Sequence, residues 1–180
     1  MPSRISFSSN VLRLDEVAWV YTDTTNSIRF YYDSPNLQLR DSKFVGYTIA
    51  EIRKERDDRL CEVERSAVFN VLAALEASFR IDYLKRCYQK RKDELSRHFR
   101  DVHKRDGNRV HLEECILDAW KQHVSASKAL ISKIIGAFKY RHWLAHGRYW
   151  EPKLGQQYDY LGVYLLAQEM ELVFQEQRLS

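Results

Sequence analysis

The chain has 180 residues, a formal net charge of +4 and 44% hydrophobic residues, which at this length is enough to bury one real core. Six glycines and three prolines argue against disorder and against a turn-rich β-sandwich, and with 30% charged residues they favour long helices. Met1-Pro2-Ser3-Arg4 lacks a signal-peptide core, no stretch approaches the roughly 20 apolar residues of a membrane span, and Cys61, Cys87 and Cys115 are scattered and odd in number, so the expectation is a cytoplasmic chain with reduced thiols and no membrane.

Residues 1–45 are the least legible. Val17, Trp19 and Tyr21 alternate with Ala18 and Val20, and after a polar stretch comes Ile28-Arg29-Phe30-Tyr31-Tyr32, a pattern that fits a small β-hairpin. The same residues put Val17, Val20, Tyr21, Ile28 and Tyr31 near one helical face, so both readings stand. Asp33-Ser34-Pro35-Asn36 is a turn in either case.

From Tyr47 the period is helical. Leu60, Val63, Ala67, Val71, Ala74 or Leu75, Phe79, Tyr83 and Leu84 form one stripe, supported by Glu76–Arg80 and Asp82–Arg86 at i,i+4. A basic extension carrying Leu95, Phe99 and Val102 runs to the turn signal Asp106-Gly107-Asn108. Leu112, Ile116, Trp120 and His123 predict a short amphipathic helix. Ser125 and Ser127 then offer N-caps for a helix holding Leu130, Ile131, Ile134, Ile135 and Phe138, with Gly147 placed to end it and Pro152 unable to continue it. A last helix is expected over roughly 158–177, with Leu161, Leu165, Leu172 and Val173 in register. The predicted architecture is an all-α helical bundle over 46–180, with 1–45 as an N-terminal segment joined to it in one compact unit.

Charge is unevenly placed. Residues 80–110 hold eleven Lys or Arg against five acids, whereas 151–180 hold five acids against two basic residues. A basic middle beside an acidic tail fits either a polyanion on one face or an ordinary solvated helix surface.

The most informative residues are Arg141-His142-Trp143-Leu144-Ala145-His146-Gly147-Arg148-Tyr149-Trp150. An arginine, four residues and a histidine close an apolar helical run. The spacing alone is cheap, since similar pairs occur at Arg91 and His98, Arg97 and His103, and Arg105 and His111. Only Arg141 and His146 follow a strongly apolar helix, stop at a glycine and sit among aromatics.

In that context the segment resembles the signature of HEPN domains, all-α domains common in bacterial toxin–antitoxin, abortive-infection and CRISPR-associated systems. The resemblance is strong over roughly residues 126–150; the helices from 46 to 178 are compatible with it, and residues 1–45 carry none. It implies a homodimeric, metal-independent endoribonuclease without cofactor, acting as a toxin or antiviral-defence effector and restrained by an antitoxin or sensor protein. In the dimer the two motifs would face each other. One subgroup places a tyrosine two residues after the histidine; here Arg148 holds that place and Tyr149 follows, so that subgroup's regulation does not carry over.

The residues support such chemistry independently. Cleavage of RNA by its own 2′-hydroxyl needs a proton acceptor, a proton donor for the leaving 5′-oxygen, and positive charge on the transition state. His146 can serve as base or acid, and Arg141 can hold the developing oxyanions, leaving 2′,3′-cyclic phosphate and 5′-hydroxyl ends. His142 is either a second proton-transfer group or a packing residue. Arg148 and Lys153 can grip phosphates, and Tyr149 or Trp150 can stack a base or simply pack. Glu76, with Arg80 one turn on, and Asp82 are candidates to orient Arg141. Two side chains five residues apart on a helix diverge by about 140°. Arg141 and His146 therefore converge only if the helix unwinds or if two chains share a site.

Other constellations fail. There is no H-E-x-x-H or zinc-type cysteine pair; His111 and Cys115 share a face without evident further ligands, and glycines are too few for a phosphate loop. The alternative to an enzyme is a non-catalytic HEPN-like module that binds RNA or protein.

Overall fold

The computed structural model describes residues 4–34, 37 and 41–179, which form helices and no strand. The hairpin reading of residues 1–45 is thereby overturned: helix α1 spans Leu14–Tyr32. Its first turn carries Asp15 and Glu16, favourable at the positive end of a helix dipole, and the Glu16 carboxylate accepts the Arg13 N–H at 3.2 Å. Leu14, Val17 and Thr25 are buried, with Tyr21 and Ile28 partly covered, a three-to-four spacing. The alternation needed Trp19 beside Val17, yet Trp19 is 65% exposed, as is Val20. Val20 and Tyr31 therefore leave the helical face on which they were expected. Met1–Ser3 and the Pro35-Asn36 half of the expected turn lie outside the described residues.

Helix α2, Ile49–Gln89, is the spine. Thr48 and Glu51 cap it reciprocally, the Thr48 hydroxyl accepting the Glu51 N–H and the Glu51 carboxylate accepting the Thr48 N–H. α1 lies along its N-terminal half, where Leu37, Phe44 and Ile52 form a small second core with Tyr32. The C-terminal half supplies the predicted stripe, from Ala67 through Val71, Leu75 and Phe79 to Tyr83, all buried. The expected continuous basic extension is broken at Lys90, a C-cap with φ of +52°. Helix α3, Glu94–Asp106, then starts on Asp93, whose side chain accepts the Ser96 N–H at 2.9 Å.

Residues Leu112–Leu117 make a π-helical turn running into α4, Asp118–His123. The wider turn shifts the phase by a residue, and Ile116, Leu117 and Trp120 are all fully buried. Trp120, Phe79 and Phe174 meet edge to face at 5.0–6.1 Å between ring centroids, joining α4, α2 and the last helix in one core. Helix α5 is Lys128–Ala145. Ser127 does not cap it, because its hydroxyl donates backward to the Val124 carbonyl at 2.9 Å.

Helix α6, Tyr160–Leu179, buries Val163, Ala167, Met170 and Phe174. Leu161, Leu165 and Leu172, expected in the core register, are 54–62% exposed. Both faces are apolar, and contact with α2 and α5 decides which one is covered. Among the described residues no helix is long and apolar enough to cross a membrane.

Asp82 and Arg86 show what burial does to an ordinary i,i+4 pair. Both are almost fully buried, and Arg86 donates to Asp82 at 2.7 Å, to Asp93 at 3.1 Å and to Ser96 at 3.3 Å, tying α2 to α3. Burial pushes the Asp82 carboxyl up, and Arg86 opposes the shift. Asp82 is thus committed to Arg86 and does not orient Arg141.

Candidate functional site

The site is built where α5 ends. The Arg148 N–H bonds the Trp143 carbonyl at 3.1 Å and the Gly147 N–H bonds the Leu144 carbonyl at 3.4 Å, the paired closure of a Schellman turn. Gly147 carries φ of +75°, where an L side chain is strained. Arg148 follows with φ of +60°. The helix stays regular up to Ala145, so it does not unwind between Arg141 and His146.

Arg141 turns inward. Its Nη2 lies 2.9 Å from Glu76 Oε2 on α2, and the guanidinium sits over the Phe69 ring at 5.6 Å. Glu76 also accepts the Arg80 Nε–H at 2.8 Å through its other oxygen, and Arg80 reaches the Val110 carbonyl at 3.2 Å. Of the two acids considered for orienting Arg141, Glu76 is the one in place. The contact is an ion pair without hydrogen-bond alignment, since Glu76 Oε2 and Arg141 Nε are both buried without a hydrogen-bond partner among the described residues. One carboxylate thus balances two guanidiniums at the α2–α5 contact.

His146 turns outward. It is exposed, its ring centroid lies 4.3 Å from that of His142, and the His142 ring lies 5.9 Å from Trp150. The Trp150 carbonyl accepts the Trp143 indole N–H at 2.6 Å, which pins the segment after the turn back onto α5. Tyr149 stands 83% exposed, edge-on to Trp150 at 4.6 Å. Within one chain, then, Arg141 faces α2 while the two histidines face solvent.

Arg148, a candidate phosphate contact, is engaged by Glu62 of α2 at 2.7 Å. Glu62 also pairs with Arg65, and its carboxyl is held below the usual range, first by the Arg148 hydrogen bond and then by Arg65 against the opposing effect of burial. Lys153 is exposed on the connecting loop. Among the described residues no group of three or more His, Cys, Asp or Glu side chains is arranged to hold a metal.

Sequence reasoning missed the cleft beside the motif. It has a volume of about 780 Å³ and lies between α2, α5 and the loop 151–159, with Arg65, Tyr140, Trp143, Glu151 and Tyr158 in its wall. Its residues come from three distant stretches, so no local signal announces it. Comparison of the chain with family models, curated proteins and solved structures returns no match.

Proposed function

We propose that this chain is a HEPN-like, metal-independent endoribonuclease that works as a homodimer, a toxin or antiviral-defence effector under the control of a partner protein. The observation that carries the reading is the end of α5: a regular apolar helix stopped by a Schellman turn at Gly147, with the His142 and His146 rings 4.3 Å apart and tilted at 54° on its exposed end and Arg141 one turn back. Imidazoles at a solvent-facing helix end can accept the 2′-hydroxyl proton and return one to the leaving 5′-oxygen. A guanidinium can bridge the oxygens of the phosphorane-like transition state.

The divergence of Arg141 and His146 along an unbroken helix favours the two-chain form of this mechanism, in which each site takes groups from both protomers. Arg148 and Lys153 would then hold flanking phosphates, the former after exchanging Glu62 for the polyanion, with Tyr149 and Trp150 beside the path. Cleavage of mixed cellular RNA in EDTA tests the proposal. Wild-type protein is expected to leave 2′,3′-cyclic phosphate ends and His146→Ala to leave the RNA intact; an equally active His146→Ala overturns the mechanism.

One observation favours the second reading, a non-catalytic HEPN-like module that binds RNA or protein. Arg141 is already engaged by Glu76 and Phe69, as expected of a residue kept for packing. Wild-type protein that retains RNA on a filter without cutting it would select that reading.

A further inference from the structure

Trp143, Tyr140 and Tyr158 form a ladder of nearly parallel rings along the cleft wall. Trp143 and Tyr140 are 5.5 Å apart at 22°, and Tyr140 and Tyr158 are 5.6 Å apart at 17°. Two contacts place the ladder. The Trp143 indole is tied to the Trp150 carbonyl, and the Tyr158 hydroxyl sits where any side chain on Gly136 would stand, 2.6 Å from a Cβ placed there. Yet all three rings are only partly covered, and the cleft they line, about 780 Å³, is in the size range of small-molecule sites.

Three acids line this cleft, and two of them are occupied. Glu64 accepts the Tyr160 N–H at 3.1 Å and Asp159 the Gly162 N–H at 2.7 Å, both at the start of α6. Glu151 is exposed and has no ion-pair or hydrogen-bond partner among the described residues. Arg65, which pairs with Glu62, lines this cleft and also the neighbouring depression formed by Leu144, Ala145 and Arg148, so it stands between the cleft and the turn that carries His146 and would exchange Glu62 for a phosphate. The arrangement is a stacking surface, a carboxylate acceptor and a cation leading toward the motif. Stacking on aromatic rings is how unpaired bases are bound. A free carboxylate selects a base whose pairing edge donates, and guanine presents two adjacent donors, N1–H and the 2-amino group.

We infer that this cleft is a base-binding subsite that receives an unpaired guanine of the RNA, stacked against the Trp143–Tyr140 end of the ladder and read by Glu151, with Arg65 on the phosphate that leads to the motif. The inference rests on the ribonuclease reading for the origin of its ligand.

The test is fluorescence polarisation with labelled single-stranded oligoribonucleotides, using the full chain carrying His146→Ala so that nothing is cut. The probes are a uridine run and the same run holding one guanosine or one inosine, which lacks the 2-amino group. Guanosine is expected to tighten binding about tenfold over the uridine run, the scale of a hydrogen bond to a charged group, with inosine between them. Adding Glu151→Gln is expected to erase the preference for the guanosine probe over the uridine run, and Trp143→Leu to weaken the guanosine probe most. Glu151 is exposed and has no partner among the described residues, so its variant stays informative even where Trp143→Leu fails to fold. Equal affinity for all three probes, or a preference that survives Glu151→Gln, overturns the subsite. Cleavage by the wild-type protein in the EDTA assay would then leave the ribonuclease reading standing. Absence of both binding and cleavage overturns the two together.

Discussion

Glu76 and Arg141 approach to 2.9 Å across the α2–α5 contact without an aligned hydrogen bond between them. The carboxylate also serves Arg80, so one negative charge sets the position of two guanidiniums. Replacing it separates charge from shape. Glu76→Gln keeps an oxygen acceptor for Arg80 but removes the attraction that draws Arg141 inward. Misplacing a group that must meet a transition state costs up to about 100-fold. We expect RNA cleavage to fall by about tenfold or more with little change in the urea midpoint. Glu76→Ala leaves both cations without their acid and is expected to cost about 2 kcal/mol of stability, read from urea unfolding. Undiminished cleavage by Glu76→Gln would remove Glu76 from any positioning role.

His98 and His123 supply a pH-dependent element at the α3–α4 contact. Their ring centroids lie 5.1 Å apart. The His98 imidazole is held below its ordinary value of 6.5, first by burial and then by the charges of His123 and Arg105, with Asp101 opposing. A base whose folded-state pKa is depressed takes up its proton later than the unfolded chain does. Its contribution to stability is therefore fully present above pH 6.5 and is lost as the pH falls toward the lower, folded-state value. Urea unfolding between neutral and mildly acidic pH should show a falling midpoint, and His98→Gln should flatten that slope. An unchanged slope in the variant would show that other groups carry it.

Legibility in the sequence tracked the locality of the physics. The end of α5 was readable because an apolar run, a glycine and a proline are all local signals, and the closure at Gly147 needs only five neighbouring residues. The stripe on α2 was readable because one apolar face repeats without a competitor. On α6 it failed: Leu161, Leu165 and Leu172 keep helical spacing as well as Val163, Ala167, Met170 and Phe174 do, and only the neighbouring helices decide which face is covered. At α1 the alternating residues 17–21 fit two periods, and packing along α2 decided. Glu76 was readable as half of a pair with Arg80 and as one of two acids that could orient Arg141, and only the tertiary contact chooses it over Asp82. The cleft was illegible throughout, being assembled from the middle of α2, the end of α5 and the loop between α5 and α6.

Gly136 and Tyr158 give a test of how that loop is held. A Cβ on Gly136 would stand 2.6 Å from the Tyr158 hydroxyl but 3.8 Å from the ring carbon that bears it, so the conflict is with one oxygen. Alanine in place of glycine inside a helix is worth about 0.8 kcal/mol in its favour. In the wild-type background that gain is opposed by displacement of Tyr158 and disruption of its stack on Tyr140; overpacking of this kind costs about 1–3 kcal/mol. Gly136→Ala alone is therefore expected to destabilise the fold. In the Tyr158→Phe background the oxygen is gone, the remaining contact is ordinary, and the same Gly136→Ala change should stabilise it. A thermodynamic cycle over the four proteins is expected to give a coupling of about 1–3 kcal/mol, within the range for residues in contact. Additive effects would mean that the loop moves aside freely and that the ladder beside the motif is not fixed by Gly136.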